Sequence, residues 1–196
     1  MRKTFTIAAA LSMSLAAAGC TTYNGNMDDG MMDDDGVAYV DGAAMYASQN
    51  IVENAMNSPI HTTLVAAVKQ AQLVDTLMGP GPFTVFAPTD EAFGRVPDAM
   101  LNAVMMDENR ATLQKVLTYH VVPGRVTAAD LMQRIRAGNG KAMVTTVQGE
   151  QLTFSLMGDR VMLMGKNGSM AHVTQADVMQ SNGIIHVVDG VLTPSM

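Results

Sequence analysis

One stretch decides the fold of this chain: residues 81–93 read Gly-Pro-Phe-Thr-Val-Phe-Ala-Pro-Thr-Asp-Glu-Ala-Phe. Its first part, Phe83–Ala87, combines aromatic and β-branched residues between two prolines, which predicts a short strand with sharp limits. Almost every residue of that run is apolar, so we expect both faces of the strand to be buried. Thr89 then precedes two acidic residues, and this order predicts a helix whose first turn is capped by Thr89.

Two later stretches have a related character. Residues 117–124 read Leu-Thr-Tyr-His-Val-Val-Pro-Gly, and residues 182–192 read Asn-Gly-Ile-Ile-His-Val-Val-Asp-Gly-Val-Leu. In the last stretch an Asn-Gly turn leads into an apolar strand, and an Asp-Gly pair turns the chain again. The three stretches, in this order and at this spacing, strongly resemble the fasciclin domain, an extracellular adhesion module. The resemblance runs from about Asn50 to Pro194.

The elements predicted around these stretches indicate an α+β fold. Before Gly138 the pattern is helical, with helix starts expected at Ser58-Pro59, Pro97, Asp107 and Thr127. Four strand-like runs separated by hairpin turns follow: Met143–Val147, Gln151–Leu156, Arg160–Met164 and Ala171–Gln175.

The fasciclin resemblance implies a single domain over residues 50–194, built as a β-sandwich or wedge with several helices packed along it. In that fold the strand Phe83–Ala87 pairs with strands far along the chain. Such long-range pairing would join both halves of the domain into one cooperative unit.

Residues 1–19 predict a lipoprotein signal peptide. Arg2 and Lys3 provide a basic start, the apolar run 5–18 follows, and small residues precede Cys20, the only cysteine. The run is shorter than the roughly 20 residues that a permanent membrane-spanning helix needs. The segment resembles a bacterial lipobox, in which the cysteine is acylated and becomes the mature N-terminus, although alanine stands where leucine is usual. Cleavage near Ala18, leaving a free thiol in a periplasmic or secreted protein, is the alternative.

Residues 20–49 predict a flexible acidic tether rich in Met, Asp and Gly, because they lack apolar periodicity. Residues 43–56 within and beyond it also have helical potential. The acidity of the chain belongs to this part: the net charge is −6 overall, whereas the 10 basic and 12 acidic residues from Ile51 onward leave −2. The near-neutral domain lacks the basic face that nucleic-acid binding requires. Thr21 after the cysteine favours the outer membrane, by resemblance to lipoprotein sorting.

No catalytic or metal-binding pattern is present in the sequence. The four histidines, at positions 61, 120, 172 and 186, lack the spacing that places two imidazoles on one side of a helix or strand. No Gly-x-Ser-x-Gly nucleophile turn and no phosphate-binding loop occurs. We therefore expect no enzyme activity, no cofactor and no metal ion. His120 and His186 are interpreted as buried residues with polar partners, Asp90 being a candidate partner of His120.

The pair Tyr119-His120 matches a Tyr-His motif that fasciclin domains carry in this stretch and that is associated with receptor binding in animal members. The two residues are therefore candidates for partner binding, although core packing is the interpretation that we favour. The predicted function is adhesion or interaction, with a lipid holding the chain to the cell envelope and the domain displaying a surface to a protein or polysaccharide partner. The alternative is a periplasmic carrier that binds a metal or small ligand through histidine and some of the 19 methionines.

Overall fold

The structure, a computed structural model, describes residues 36–195. Cys20, the signal peptide and residues 20–35 of the predicted tether lie outside the described residues. The described chain forms one α+β domain. Its strands are β1 Val37–Val40, β2 Ala43–Tyr46, β3 Phe83–Pro88, β4 Val121–Pro123, β5 Lys141–Thr145, β6 Gln151–Met157, β7 Arg160–Met164, β8 Met170–Gln180 and β9 Gly183–Val188. Its α-helices are α1 Ile51–Asn57, α2 Thr62–Gln70, α3 Val74–Met78, α4 Asp90–Gly94, α5 Asp98–Val104, α6 Arg110–Tyr119 and α7 Ala128–Ala137.

Seven of these strands form one sheet in the order β4-β3-β9-β8-β7-β6-β5. The early strand β3 lies between β4 and the last strand, β9, and it pairs with β9 in parallel from Phe83 and Gly183 to Pro88 and Val188. A Cβ atom on Gly183 would overlap the carbonyl oxygen of Phe83, so only glycine allows this approach. The predicted pairing between the two ends of the domain is therefore confirmed.

The sheet folds over at β8, where bulges interrupt the pairing between Val173 and Val178. The start of β8 pairs with β7 and the remainder pairs with β9, so the sheet becomes two packed layers.

The layer that contains β3 and β9 is buried on both faces, as the sequence predicted for β3. Val85 and Val187 lie in the core under the helices, whereas Phe86 and Val188 lie in a second core with Phe154 of the outer layer. The rings of Phe86 and Phe154 are 5.3 Å apart between centroids. These two cores confirm the sandwich-like wedge with helices along it.

Two of the predicted helix caps are present, whereas two expected helix starts are placed differently. Thr89 accepts the Ala92 N–H at 3.2 Å, and Thr127 forms a capping box with Asp130. Ser58, however, ends α1, and α2 begins only at Thr62. Asp107 begins a short 3-10 helix, and α6 begins only at Arg110.

The cap of α2 comes from a distant residue. The carboxylate of Asp90 accepts the N–H groups of Thr62 and Thr63 at 3.2 and 2.8 Å. Partial burial acts to raise the pKa of Asp90, but the hydrogen bonds from Thr62 and Thr63 outweigh it and hold the pKa below its ordinary value.

The tether interpretation is wrong for residues 37–46, which form the hairpin β1–β2. Asp41 and Gly42 both have positive φ, +49° and +78°, as a two-residue turn of type I′ requires. Val40 and Met45 are buried in the helical core, so the hairpin is part of the domain. The domain therefore begins near residue 37, and the helix α1 accounts for only the second half of the helical potential predicted over 43–56.

Two asparagine amides connect the hairpin and the first helices to the end of the sheet. The side chain of Asn54, fully buried, accepts the N–H of Tyr46 at 2.9 Å and donates to the carbonyl of the same residue at 2.8 Å. Asn182, in the turn between β8 and β9, accepts the N–H of Ile51 at 3.0 Å and donates to the carbonyl of Leu77 at 2.8 Å. The start of α1 is therefore fixed to the β8–β9 turn, and its middle is fixed to the hairpin.

Among residues 36–195, no helix combines the length and the apolar character needed to cross a membrane.

Candidate functional site

Tyr119 and His120, the predicted partner-binding residues, lie at the end of α6 and are both buried. The Tyr119 hydroxyl donates to the carbonyl of Gln151 and accepts the N–H of Lys166, both at 3.0 Å. Burial raises the pKa of the Tyr119 phenol above its ordinary value. This side chain therefore connects the helix to the outer sheet layer and presents no surface to a partner in this conformation.

His120 connects α6 to the C-terminal segment. Its Nδ1 donates to the carbonyl of Val116 at 2.8 Å, and its Nε2 accepts the N–H of Leu192 at 2.9 Å. Because one partner is an acceptor and the other a donor, only the neutral ring with its proton on Nδ1 satisfies both. Burial lowers the pKa of His120 to about 4. The predicted pairing with Asp90 is wrong, since Asp90 is engaged at the start of α2.

His186 in β9 has the same kind of arrangement on the other side of the sheet. Its Nε2 donates to the carbonyl of Val126 at 2.9 Å, and its Nδ1 accepts the N–H of Asp177 at 3.2 Å. The ring stacks on Phe86 with centroids 5.3 Å apart. Burial lowers the pKa of His186, so this histidine is also held neutral.

Ser58, His61 and Asp90 have the residue types of a hydrolase triad, but the serine and the histidine are buried. Ser58 Oγ lies 2.7 Å from His61 Nδ1, and Asp90 is close enough for its charge to act on the ring. Ser58 and His61 are only 4% and 1% exposed, and the Asp90 carboxylate is bound to Thr62 and Thr63. Burial lowers the pKa of His61 although the charge of Asp90 acts in the opposite direction. A nucleophile must reach its substrate, and Ser58 does not.

A concave surface on the helical side of the domain forms a groove of about 240 Å³. It lies between α2, α4, α5, α6 and the C-terminal segment, and its floor includes the buried residues Leu64, Leu113 and Leu117. Its lining is almost entirely apolar. His120 also borders the groove, so the histidine that fixes the C-terminal segment supports the groove wall.

The helix α5 packs only loosely against the core. No residue of α5 is fully buried, and Met100 is 50% exposed. Leu101, Val104 and Met105 lie over the groove, packed against the core only in part. The excess of apolar residues on a short helix was the signal that could have indicated a groove.

Charged groups mark one end of the groove. Arg95 donates to the Glu91 carboxylate at 2.8 Å and to the carbonyl of Asp189 at 3.1 Å. Both members of the Arg95–Glu91 pair are largely exposed, so the pair adds little to stability. It gives an otherwise apolar groove a polar rim.

Comparison with known proteins places the chain in the fasciclin domain family, whose family model matches residues 59–194. Protein sll1483 of Synechocystis sp. is 43% identical over 159 residues, which cover 81% of each chain. Immunogenic protein MPB70 of Mycobacterium bovis is 34% identical over 145 residues, covering 71% of this chain and 66% of MPB70. Stabilin-1 of Homo sapiens is 32% identical over 123 residues, 62% of this chain but 4% of stabilin-1.

A solved structure shares the fold. A pair of FAS1 domains from the insect cell adhesion molecule fasciclin I matches with a TM-score of 0.65 and 20% identity, covering 74% of this chain and 50% of that chain. Fasciclin domains are in general adhesion and interaction modules, and the domain described here has that fold.

His120→Gln tests whether the histidine is a neutral structural element. A pKa near 4 in the folded protein, against about 6.5 when unfolded, means that the unfolded chain takes up a proton first as the pH falls. The stability associated with this residue is present above pH 6.5 and decreases by about 3 kcal/mol as the pH falls towards 4. The variant should be less stable than the wild type at pH 7.5 and should lose less stability between pH 7.5 and 4.5, as measured by urea unfolding.

The control is Tyr119→Phe, which also loses buried hydrogen bonds but removes no group that titrates in this range. It should lower stability by a similar amount at both pH values. An identical loss of stability on acidification in wild type and His120→Gln would contradict the assignment.

Proposed function

We propose that this chain is an envelope-anchored adhesion module that binds a polypeptide partner through the groove between α2, α4, α5 and α6. The observation that carries the proposal is the groove itself, an apolar concave surface with a polar rim. Concave, mostly apolar sites with few polar groups are the usual form of binding sites in proteins.

The lining favours a protein partner over a polysaccharide. A sugar needs hydrogen-bond donors and acceptors around it, and the groove offers almost none. An apolar side chain on the partner would instead bury its surface against leucine and valine. The volume of about 240 Å³ is adequate for a large anchor residue, since an apolar cavity of about 150 Å³ already accepts benzene.

The methionines around the groove support adaptable binding. Met100 and Met105 line it, and Met106 is exposed next to it. Methionine is unbranched and has a polarizable sulfur, which lets such a surface repack around differently shaped partners. In this proposal Tyr119 and His120 act indirectly, because they hold the groove wall and the C-terminal segment in place.

Anchoring is the second part of the proposal. Acylation of Cys20 would hold the N-terminus in the membrane, with the outer membrane as the expected location, and the acidic segment up to the hairpin would provide reach. The hairpin β1–β2 would then connect this segment directly to the core, so that the groove is displayed on a rigid body.

Met100→Asp tests the groove. The substitution places a charge at the exposed edge of the apolar lining, which should abolish partner binding while leaving the fold intact, since Met100 is half exposed. The measurement is capture from envelope extracts by the immobilised domain, read by mass spectrometry. Its matched control is Met143→Asp, because Met143 is 66% exposed on β5 and does not line the groove.

The proposal requires a protein that the wild type and Met143→Asp retain, that Met100→Asp loses, and that disappears after protease treatment of the extract. Equal retention by both variants would exclude the groove. Capture that survives protease but is lost after periodate oxidation would indicate a polysaccharide partner.

Cys20→Ser tests the anchor independently. In the native host the wild type should sediment with the membrane fraction and incorporate an alkyne-labelled fatty acid, whereas the variant should do neither. Membrane retention of Cys20→Ser would contradict lipid anchoring, whatever the outcome for the groove.

A further inference from the structure

The outer face of β7 and β8 carries a group of thioether and imidazole side chains. Along both strands burial alternates: Val161, Leu163 and Ala171 point into the core. Their neighbours in sequence therefore point to the outer face, because successive side chains of a strand lie on opposite faces. These neighbours are Met162, Met164, Met170 and His172.

The strand register brings the four residues together. Met162 is directly opposite His172, and Met164 is directly opposite Met170. Directly opposite residues on antiparallel strands have Cβ atoms about 5 Å apart, and residues two apart on one strand are about 7 Å apart. This register makes three flexible methionine side chains and one imidazole neighbours on the outer face, within reach of one bound ion.

The imidazole of His172 is already oriented. Asp189 accepts the backbone N–H of His172 at 2.7 Å through Oδ1, its Oδ2 lies 3.3 Å from His172 Nδ1, and its own N–H donates to the carbonyl of His172 at 3.1 Å. A carboxylate on one ring nitrogen of a histidine is the arrangement that fixes the ring and leaves the other nitrogen available to a metal ion.

The other ring nitrogen has no partner within residues 36–195. Nε2 of His172 is covered from solvent and makes no hydrogen bond to any of these residues. A covered polar atom without a partner costs free energy, so it calls for a ligand or a specific role. In the tautomer that donates from Nδ1 to Asp189, Nε2 carries the lone pair that a metal ion would bind.

We propose that His172, Met162, Met164 and Met170 form a binding site for a soft monovalent cation, with Cu(I) as the chemical class of ligand. Thioether and imidazole groups prefer soft ions, whereas Ca²⁺ and Mg²⁺ need oxygen ligands that this group lacks. The charged groups near the site are of both signs, since Asp189 contacts His172 Nδ1 and Arg160 lies two residues before Met162 on the same strand. The preference for Cu(I) therefore rests on the soft ligand atoms and not on the local charge.

This inference does not depend on the proposed function, because the site lies on the outer sheet face and shares no lining residue with the groove. Binding involves no change of oxidation state: Cu(I) enters, and Nε2 and the sulfur atoms donate lone pairs. The carrier interpretation rested on methionine and histidine content alone. The proposed site specifies where in the structure such a protein would bind its ion.

The test is a Cu(I) competition titration of the full mature chain carrying Cys20→Ser, under anaerobic conditions with a chromophoric Cu(I) chelator. The substitution removes the thiol, which would compete as a soft ligand. One equivalent should bind more tightly than any remaining sites, and the methyl resonances of Met162, Met164 and Met170 should shift in NMR spectra of methyl-labelled protein. His172→Gln should weaken the binding about tenfold or more, as should Met162→Leu with Met170→Leu.

Met143→Leu is the matched control, since Met143 lies on the same outer face but two strands from Met164. It should bind Cu(I) as the parent chain does. Circular dichroism melting of each variant separates lost binding from lost folding. Equal affinity in parent and His172→Gln, or shifts confined to methionines outside the four-residue site, would overturn the proposal.

Discussion

The parallel pairing of β3 with β9 is the constraint on which the structure depends. It joins segments about a hundred residues apart in sequence, so its loop-closure entropy is offset only when the layers on both sides of the sheet are also packed. Gly183 permits the close approach, and Asn182 immediately before it binds the beginning of α1 and the end of α3. The helices and the outer layer are thus positioned by the same short junction.

Two neutral histidines connect the sheet and α6 to neighbouring segments through backbone hydrogen bonds. His120 and His186 each accept a backbone N–H and donate to a carbonyl, and the partners come from different parts of the chain. Adding a proton to either ring would place a donor against a donor inside a buried region. The conformation of the C-terminal segment, and with it one side of the groove, therefore depends on groups that must stay uncharged.

The elements that depend on neighbouring residues were predicted from local patterns. The bounded strand β3, the cap at Thr89 and the capping box at Thr127 were all predicted, because each needs only neighbouring residues. The hairpin was missed because the acidic, glycine-containing composition was interpreted as a tether, although Asp41-Gly42 between two apolar runs is a strong hairpin signal.

Apart from the long-range pairing of β3, which the fasciclin resemblance implied, the non-local features could not be predicted from the sequence. The start of α2 depends on Asp90, 28 residues away from Thr62, and no local pattern indicates such a cap. The groove is made by four helices and the C-terminal segment, so its existence depends on packing. The group around His172 follows from the register of β7 and β8, which a one-residue slip would invert. Sequence reasoning could count methionines and histidines, but it could not assign them to one face.

Native-state hydrogen exchange tests most directly whether the β3–β9 junction makes the domain one cooperative unit. The account predicts that the slowest amides of β3, β6, β9 and α6 open with one common free energy, equal to the free energy of global unfolding from denaturant titration. If the amides of β5–β7 exchanged through an opening of distinctly lower free energy than those of the helices and β3, the two layers would be separate units and the account would be contradicted.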